Sequence, residues 1–156
     1  MNRQAVVDEL AAGPGQYRSL AASFSEQALR KPLDGGWSPL EVLGHIRDSI
    51  AINERRFQRI VDEDEPQIQS WDQEEAATRA AYNSEDLDQV LDQIASGRGR
   101  TIELLRGLDD SQWQRAGLHS DPQWGRITIE FLANHLREHD REHLADLRRA
   151  AQGSSS

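Results

Sequence analysis

The chain has 156 residues, a formal net charge of -9 and no cysteine. The length suits one domain with a sizeable core, and the acidic balance, with arginines spread among the acids, excludes a continuous basic surface for nucleic acid. Without cysteine the protein has no disulfides, thiolate ligands or thiol of its own for catalysis. Acidic residues at 8 and 9 interrupt any leader-like apolar run, and no stretch is long enough to cross a bilayer, so we expect a cytoplasmic protein.

Apolar residues recur at spacings of three and four almost throughout, which predicts four principal helices and no strands. The first is expected over residues 3–29, with a break or kink at the Gly-Pro-Gly of residues 13–15. The second starts at Ser38, with Pro39 as its first residue and Glu41 completing a capping box, and ends near residue 62.

The linker over residues 63–83 is long enough to cross the bundle and is expected to hold a short helix at 72–81. Ser84 is the expected cap of the third helix, in which Gly97 and Gly99 indicate a bend or a close helix contact. Thr128 is the expected cap of the last helix, which should end near Ala150. We therefore predict an all-α four-helix bundle with a crossover connection and short extra helices in the linkers, as one domain over 1–151 followed by a flexible tail at 152–156.

On the last helix, His139 and His143 occupy positions where the apolar stripe predicts leucine. Residues four apart are about 6 Å apart along the axis and about 40° around it, so both imidazoles can face one metal ion. His45, beside the stripe of the second helix, is the candidate third ligand. The alternative is that these histidines are buried, hydrogen-bonded packing residues.

Other polar residues have less specific patterns. Asp48, one turn after His45, is a candidate partner for a ligating imidazole or an acid-base group, although a solvated helix charge is equally compatible with its position. His135 is interpreted as a bundle-edge residue and His119 as an exposed loop residue. The charged residues at 138 and 140–142 are interpreted as surface groups. His139 to His143 matches the H-x-x-E-H pattern, but the downstream glutamate that this peptidase pattern requires is missing.

The segments "GGWSPLEVLGHIRDS" (35–49) and "TIEFLANHLREHDREHLADLRR" (128–149) resemble the DinB-like superfamily of metalloenzymes. The shared signature is Trp37, Ser38, Glu41 and His45 on one helix with a His-x-x-x-His pair on another. The resemblance implies that His45, His139 and His143 bind a divalent ion, commonly zinc or nickel, and that the protein forms a homodimer.

Three functions follow from this resemblance and from the missing cysteine. The first is an S-transferase or isomerase that uses a low-molecular-weight thiol such as mycothiol, bacillithiol or glutathione on a small-molecule substrate. The second is a metal-dependent hydrolase that activates water. The third is a metal-binding stress-response protein without turnover. Loops carrying Trp71 and Trp124 should line the mouth of the site. An apolar cavity above the ion would favour an enzyme, whereas a filled one would favour the metal-binding protein without turnover.

Overall fold

The computed structural model describes residues 2–33, 36–72, 75 and 81–154. Four long helices form the bundle, as predicted: α1 (Arg3–Ala21), α3 (Pro39–Asp62), α4 (Leu87–Arg106) and α6 (Ile129–Ser154). Short helical segments lie in the connections: α2 (Glu26–Leu29), a 3-10 turn (Tyr82–Ser84) and α5 (Asp110–Trp113). The helix expected at 72–81 falls largely outside the described residues. The last helix passes its expected end near Ala150 and runs to Ser154.

Two of the three expected helix caps are confirmed. The Ser38 hydroxyl accepts the Glu41 N–H at 3.1 Å in a complete capping box, and the Thr128 hydroxyl accepts the Phe131 N–H at 3.0 Å. Ser84 was the wrong cap for α4, because it belongs to the 3-10 turn. Asp86 caps this helix by accepting the N–H of the residue three positions later.

Helix α1 is not broken at Gly-Pro-Gly, contrary to the expectation from sequence; it runs through this motif and ends at Ala21. Pro14 has no N–H, so the carbonyl of Leu10 loses its partner within the helix. The Arg98 guanidinium of α4 donates to that carbonyl instead, at 2.8 Å. Gly13 leaves room for this contact, since a Cβ there would lie 3.1 Å from Nη1 of Arg98. The bond lost at the proline is therefore replaced from a neighbouring helix.

The four long helices do not pack equally closely. Helix α4 packs against α1 and α3, and α1 also packs against α6, whereas α3 and α6 approach each other at fewer points. The consecutive pairs α1/α3 and α4/α6 lie diagonally across the bundle, so their connections cross it. The linker after α3, which the sequence analysis judged long enough to cross the bundle, instead joins the neighbouring helices α3 and α4. The looser α3/α6 pair carries the three histidines of the predicted metal site.

A buried ion pair separates two apolar clusters of the core. The first cluster includes Leu10 and Phe57, and the second includes Tyr17 and Leu43. Between them, Arg98 donates to Asp140 at 2.7 and 3.1 Å, and the Tyr17 hydroxyl donates to Asp140 at 2.8 Å. The interpretation of Asp140 as a surface charge was therefore wrong. Burying its carboxylate costs desolvation free energy, which these hydrogen-bond partners offset.

A small sheet, which the sequence pattern did not predict, joins the two long linkers. Strand β1 (Gln67–Ile68) pairs in parallel with β2 (Ala116–His119), and β2 pairs antiparallel with β3 (Arg126–Thr128). Strands of two to four residues are too short to show a period-2 pattern. Gly117 allows β1 to approach, because a Cβ there would lie 2.7 Å from the Ile68 side chain. The pairing holds the linkers beside the start of α6.

In the part of the chain that the structure describes, no helix is long and apolar enough to span a membrane.

Candidate metal centre

The structure brings together the three histidines that the sequence singled out. His45 comes from α3, and His139 and His143 come from α6. The ring centroids of His45 and His143 are 5.3 Å apart, and those of His139 and His143 are 5.9 Å apart. The i,i+4 spacing thus places two imidazoles on the face of α6 that meets α3.

His45 is the most enclosed of the three, with 3% of its surface exposed. The Trp71 ring stacks on it at 5.4 Å and 3°, and Trp37 meets it edge-on at 5.2 Å. Burial, followed by the neighbouring charges of His143 and His139, lowers the pKa of His45 to about 4, although the Asp48 charge acts in the opposite direction. His45 is therefore neutral at pH 7, which is the state that a metal ligand requires.

Imidazole nitrogens are donors of a type that suits a divalent ion. Nδ1 of His45 is buried and has no hydrogen-bond partner among the described residues, which is a costly arrangement unless something binds there. Burial and the His139 charge also lower the pKa of His143. Across the described ranges, however, no three His, Cys, Asp or Glu side chains already converge in a metal-binding arrangement. The structure thus presents the donors as neighbours, without a closed coordination shell.

His135 extends the row of histidines by one turn. Its ring is 4.6 Å from that of His139, stacks on Phe131 at 6.0 Å and 8°, and meets Trp124 edge-on at 5.3 Å. Burial is the main cause that lowers its pKa. The bundle-edge interpretation needs refinement, because this half-buried histidine belongs to an aromatic cluster beside the candidate ligand His139.

His119 is not the exposed loop residue expected from the sequence. It ends β2, is half-buried, and its ring lies 6.5 Å from that of Trp124. Its Nδ1 accepts the N–H of Asp121 at 3.0 Å, and burial lowers its pKa. The error follows from the missed strand, since strand pairing is what directs this side chain towards α6.

Asp48 lies near His45 without being hydrogen-bonded to it. Its carboxylate accepts from the Tyr82 hydroxyl and from Nε of Arg47, the latter at 3.0 Å. Its negative charge reaches His45 through space, because it raises the pKa of that imidazole. The roles predicted for Asp48 thus stay predictions.

Asp140 lies beside the site, and the sequence interpretation missed its structural role. It directly follows His139, and its buried pair with Arg98 anchors this turn of α6 to α4 and α1. A signal was available, because Asp140 is four residues after Leu136 and three before His143 on the same stripe. A charged residue at such a position is usually paired.

Two clefts meet the row of histidines from different sides. The larger, of about 820 Å³, opens on His45 and His143 and is bordered by Trp37, Lys31 and other residues near the ends of α2 and α6. The smaller, of about 550 Å³, opens on His139. Its walls include the predicted mouth residues Trp71 and Trp124, together with His119, His135, Phe131 and Arg56. Both clefts have the size of small-molecule sites.

The family model of the DinB superfamily matches residues 9–147, which include all three candidate ligands. The chain belongs to the DinB superfamily. It is 27% identical over 135 residues to "Putative metal-dependent hydrolase YfiT" of Bacillus subtilis (strain 168), covering 86% of this chain and 75% of that protein. It is 29% identical over 113 residues to "Putative metal-dependent hydrolase OB0782" of Oceanobacillus iheyensis, covering 72% of this chain and 64% of the relative.

Structural similarity also supports the fold of this DinB-superfamily protein. The solved structure of YfiT from Bacillus subtilis superposes with a TM-score of 0.91 at 24% identity, covering 98% of this chain and 87% of that one. That structure is described as having "an unusual four-helix bundle topology". Both the family resemblance and the bundle predicted from the sequence are thereby confirmed.

Proposed function

We propose that this protein is a divalent-metal-dependent hydrolase whose ligands are His45, His139 and His143. The observation that carries the proposal is the adjacency of three imidazoles between α3 and α6. Nδ1 of one of them, His45, is buried without a hydrogen-bond partner among the described residues, and each of the three histidines borders one of the two clefts. The relatives' names, putative metal-dependent hydrolases, support this class of reaction.

A divalent ion in such a site supplies Lewis acidity and lowers the pKa of water. The chain's own residues hold and enclose the ligands. Trp71 and Trp37 cover two sides of the His45 ring, and the Arg98–Asp140 pair fixes the turn of α6 between His139 and His143. His139 is half-buried and borders the smaller cleft, which leaves room beside it for a small-molecule substrate.

Metal content measured by mass spectrometry tests the ligand set. We expect near-stoichiometric zinc or nickel in protein purified without chelator, and loss of the ion in His45→Ala and His139→Ala with helical content retained. His119→Ala is the matched control, because this histidine borders the same cleft outside the triad; it should keep the ion. A wild-type protein that stays empty when supplied with zinc or nickel would contradict the proposal.

A thiol-dependent S-transferase is the second candidate, and the presence of two clefts favours it. Two clefts at one row of histidines can accept two reactants, and a chain without cysteine needs an external thiol. The loaded protein should be assayed on esters, amides and alkylating electrophiles, with and without glutathione or bacillithiol. Turnover without thiol supports the hydrolase, whereas turnover only with thiol supports the transferase. The open clefts disfavour a metal-sequestering protein, for which a filled site was expected.

Asp48 is proposed to support the site through its charge. Because a negative charge near His45 favours a bound cation, we expect Asp48→Asn to weaken affinity for the ion by roughly 3- to 10-fold, less than loss of a hydrogen-bonded partner usually costs. Glu85→Gln is the control, since it removes another carboxylate bonded to Arg47. Equal metal affinity in wild type and Asp48→Asn would exclude this role.

A further inference from the structure

Exposed aromatic surface is concentrated at the smaller cleft. Among the described residues, the large hydrophobic side chains that remain exposed are Trp124 (38%) and Phe131 (43%). Their ring centroids are 6.1 Å apart, and both rings contact His135. Trp71 borders the same cleft. Because such side chains gain stability from burial, aromatic surface gathered around a concave site indicates a ligand with a flat apolar part.

Arg56 brings a positive charge to this cleft. It is half-buried on α3, and its guanidinium donates to neutral acceptors, the Gln69 carbonyl at 2.7 Å and the Asn53 side chain at 3.5 Å. No carboxylate of the described residues lies within ion-pair distance of it, whereas Arg59, one turn later, is paired with Glu63.

Arg56 lines the cleft together with His119 and His135. Burial is the main cause that lowers the pKa of His119, and the positive charge of Arg56 adds to it. Asp121 is the acid of this cleft, and its Oδ1 accepts the Gln123 N–H at 2.9 Å. Burial lowers the pKa of Arg56 itself. A guanidinium in this situation gains most from a carboxylate, which it can bind with two parallel hydrogen bonds.

We propose that this cleft binds substrates that carry a carboxylate, paired with Arg56, and a flat apolar group, packed against Trp124 and Phe131. The volume of about 550 Å³ accommodates a molecule of this kind. The inference deepens the proposed function and rests on it in one respect: the reacting bond of such a substrate would face His139. The binding preference itself depends on Arg56 and the aromatic wall alone.

Calorimetric titration with two probes tests the preference. 3-Phenylpropanoate and its amide share the ring and differ in charge, and both are titrated into EDTA-treated protein and into protein supplied with zinc. We expect the acid to bind at least about tenfold more tightly than the amide in EDTA-treated protein, the scale of one charge-assisted hydrogen bond. Arg56→Gln should abolish this preference.

Arg59→Gln is the matched control. Arg59 is on the same helix and also donates to a linker carbonyl, that of Gln67, but does not border the cleft. It should keep the preference of the wild type. Indole N–H resonances, assigned with Trp71→Phe and Trp124→Phe, should shift on addition of the acid and so locate it in the cleft.

Three results with EDTA-treated protein would overturn the inference: equal affinity for acid and amide, no saturable binding of either, or a preference that persists in Arg56→Gln. A preference seen only with zinc present and retained in Arg56→Gln would mean that the carboxylate binds the ion directly, and would also overturn it. A protein that never binds zinc or nickel would refute the proposed function while leaving the result on EDTA-treated protein intact. The two failures are therefore distinguishable.

Discussion

Replacing Arg98 by methionine should strongly destabilise the bundle. The guanidinium makes three buried hydrogen bonds: two to the Asp140 carboxylate, at 2.7 and 3.1 Å, and one to the Leu10 carbonyl, at 2.8 Å. In Arg98→Met the carboxylate would keep the Tyr17 hydroxyl as its remaining partner. The Leu10 carbonyl, already without an intrahelical partner because of Pro14, would have none.

Removing one partner of a buried ion pair costs about 3–5 kcal/mol, because the other charge stays buried. Folding free energies of single domains are about 5–15 kcal/mol, so the variant would lose a large part of its stability. Removing both charges in Arg98→Met/Asp140→Leu avoids the unpaired carboxylate. We expect this double variant to be more stable than Arg98→Met alone.

Urea unfolding followed by far-ultraviolet circular dichroism measures these differences. Arg100→Met is the control, because its ion pair with Glu54 lies on the surface of the same helix and its loss should cost about 1 kcal/mol or less. The reasoning would be refuted if Arg98→Met cost no more than Arg100→Met, or if the double variant lost the full sum of the two single losses.

Three further predictions concern stability and can be measured by the same unfolding assay. Gly97→Ala should destabilise the protein by about 1–3 kcal/mol, because the new Cβ would lie 2.8 Å from the Ile50 side chain. In Gly99→Ala, on the same helix, the new Cβ enters open space and should stabilise the protein by roughly 0.5–1 kcal/mol. Equal effects of the two variants would contradict a close helix contact at Gly97. Ser38→Ala should cost about 1 kcal/mol through loss of the α3 cap, and an unchanged midpoint would argue against the capping box. In metal-free protein, the free energy of unfolding should fall as pH drops from 6.5 to about 4, because unfolded His45 takes up a proton in this range before the folded side chain does. His45 contributes at most roughly 3 kcal/mol of this fall, and the lowered pKa values of His119, His135 and His143 add to it. His45→Gln should make the dependence less steep, and an equally steep curve in the variant would exclude His45 as a cause.

The sequence by itself determined the features that depend on neighbours along the chain. Helical periodicity predicted the four long helices, and local cap chemistry located the starts of α3 and α6 at Ser38 and Thr128. The i,i+4 spacing of His139 and His143 on an apolar stripe was enough to place both imidazoles on one face. These features follow from 3.6 residues per turn and from hydrogen bonds that span three or four residues, so they need no knowledge of the rest of the fold.

Only the tertiary structure decided which distant groups meet. The Arg98–Asp140 pair joins residues 42 positions apart, and the same arginine supplies the hydrogen bond that lets α1 continue through Pro14. His119 reaches the site because its short strand pairs with a segment 51 residues earlier, where Ile68 is its partner. Such contacts depend on how the helices cross and on which linkers pair. They cannot be predicted from the local sequence, because a charged or glycine-rich segment has the same local pattern whether it faces solvent or another part of the protein. The clefts beside the histidines arise in the same way, from the spacing between packed elements, which no local pattern encodes.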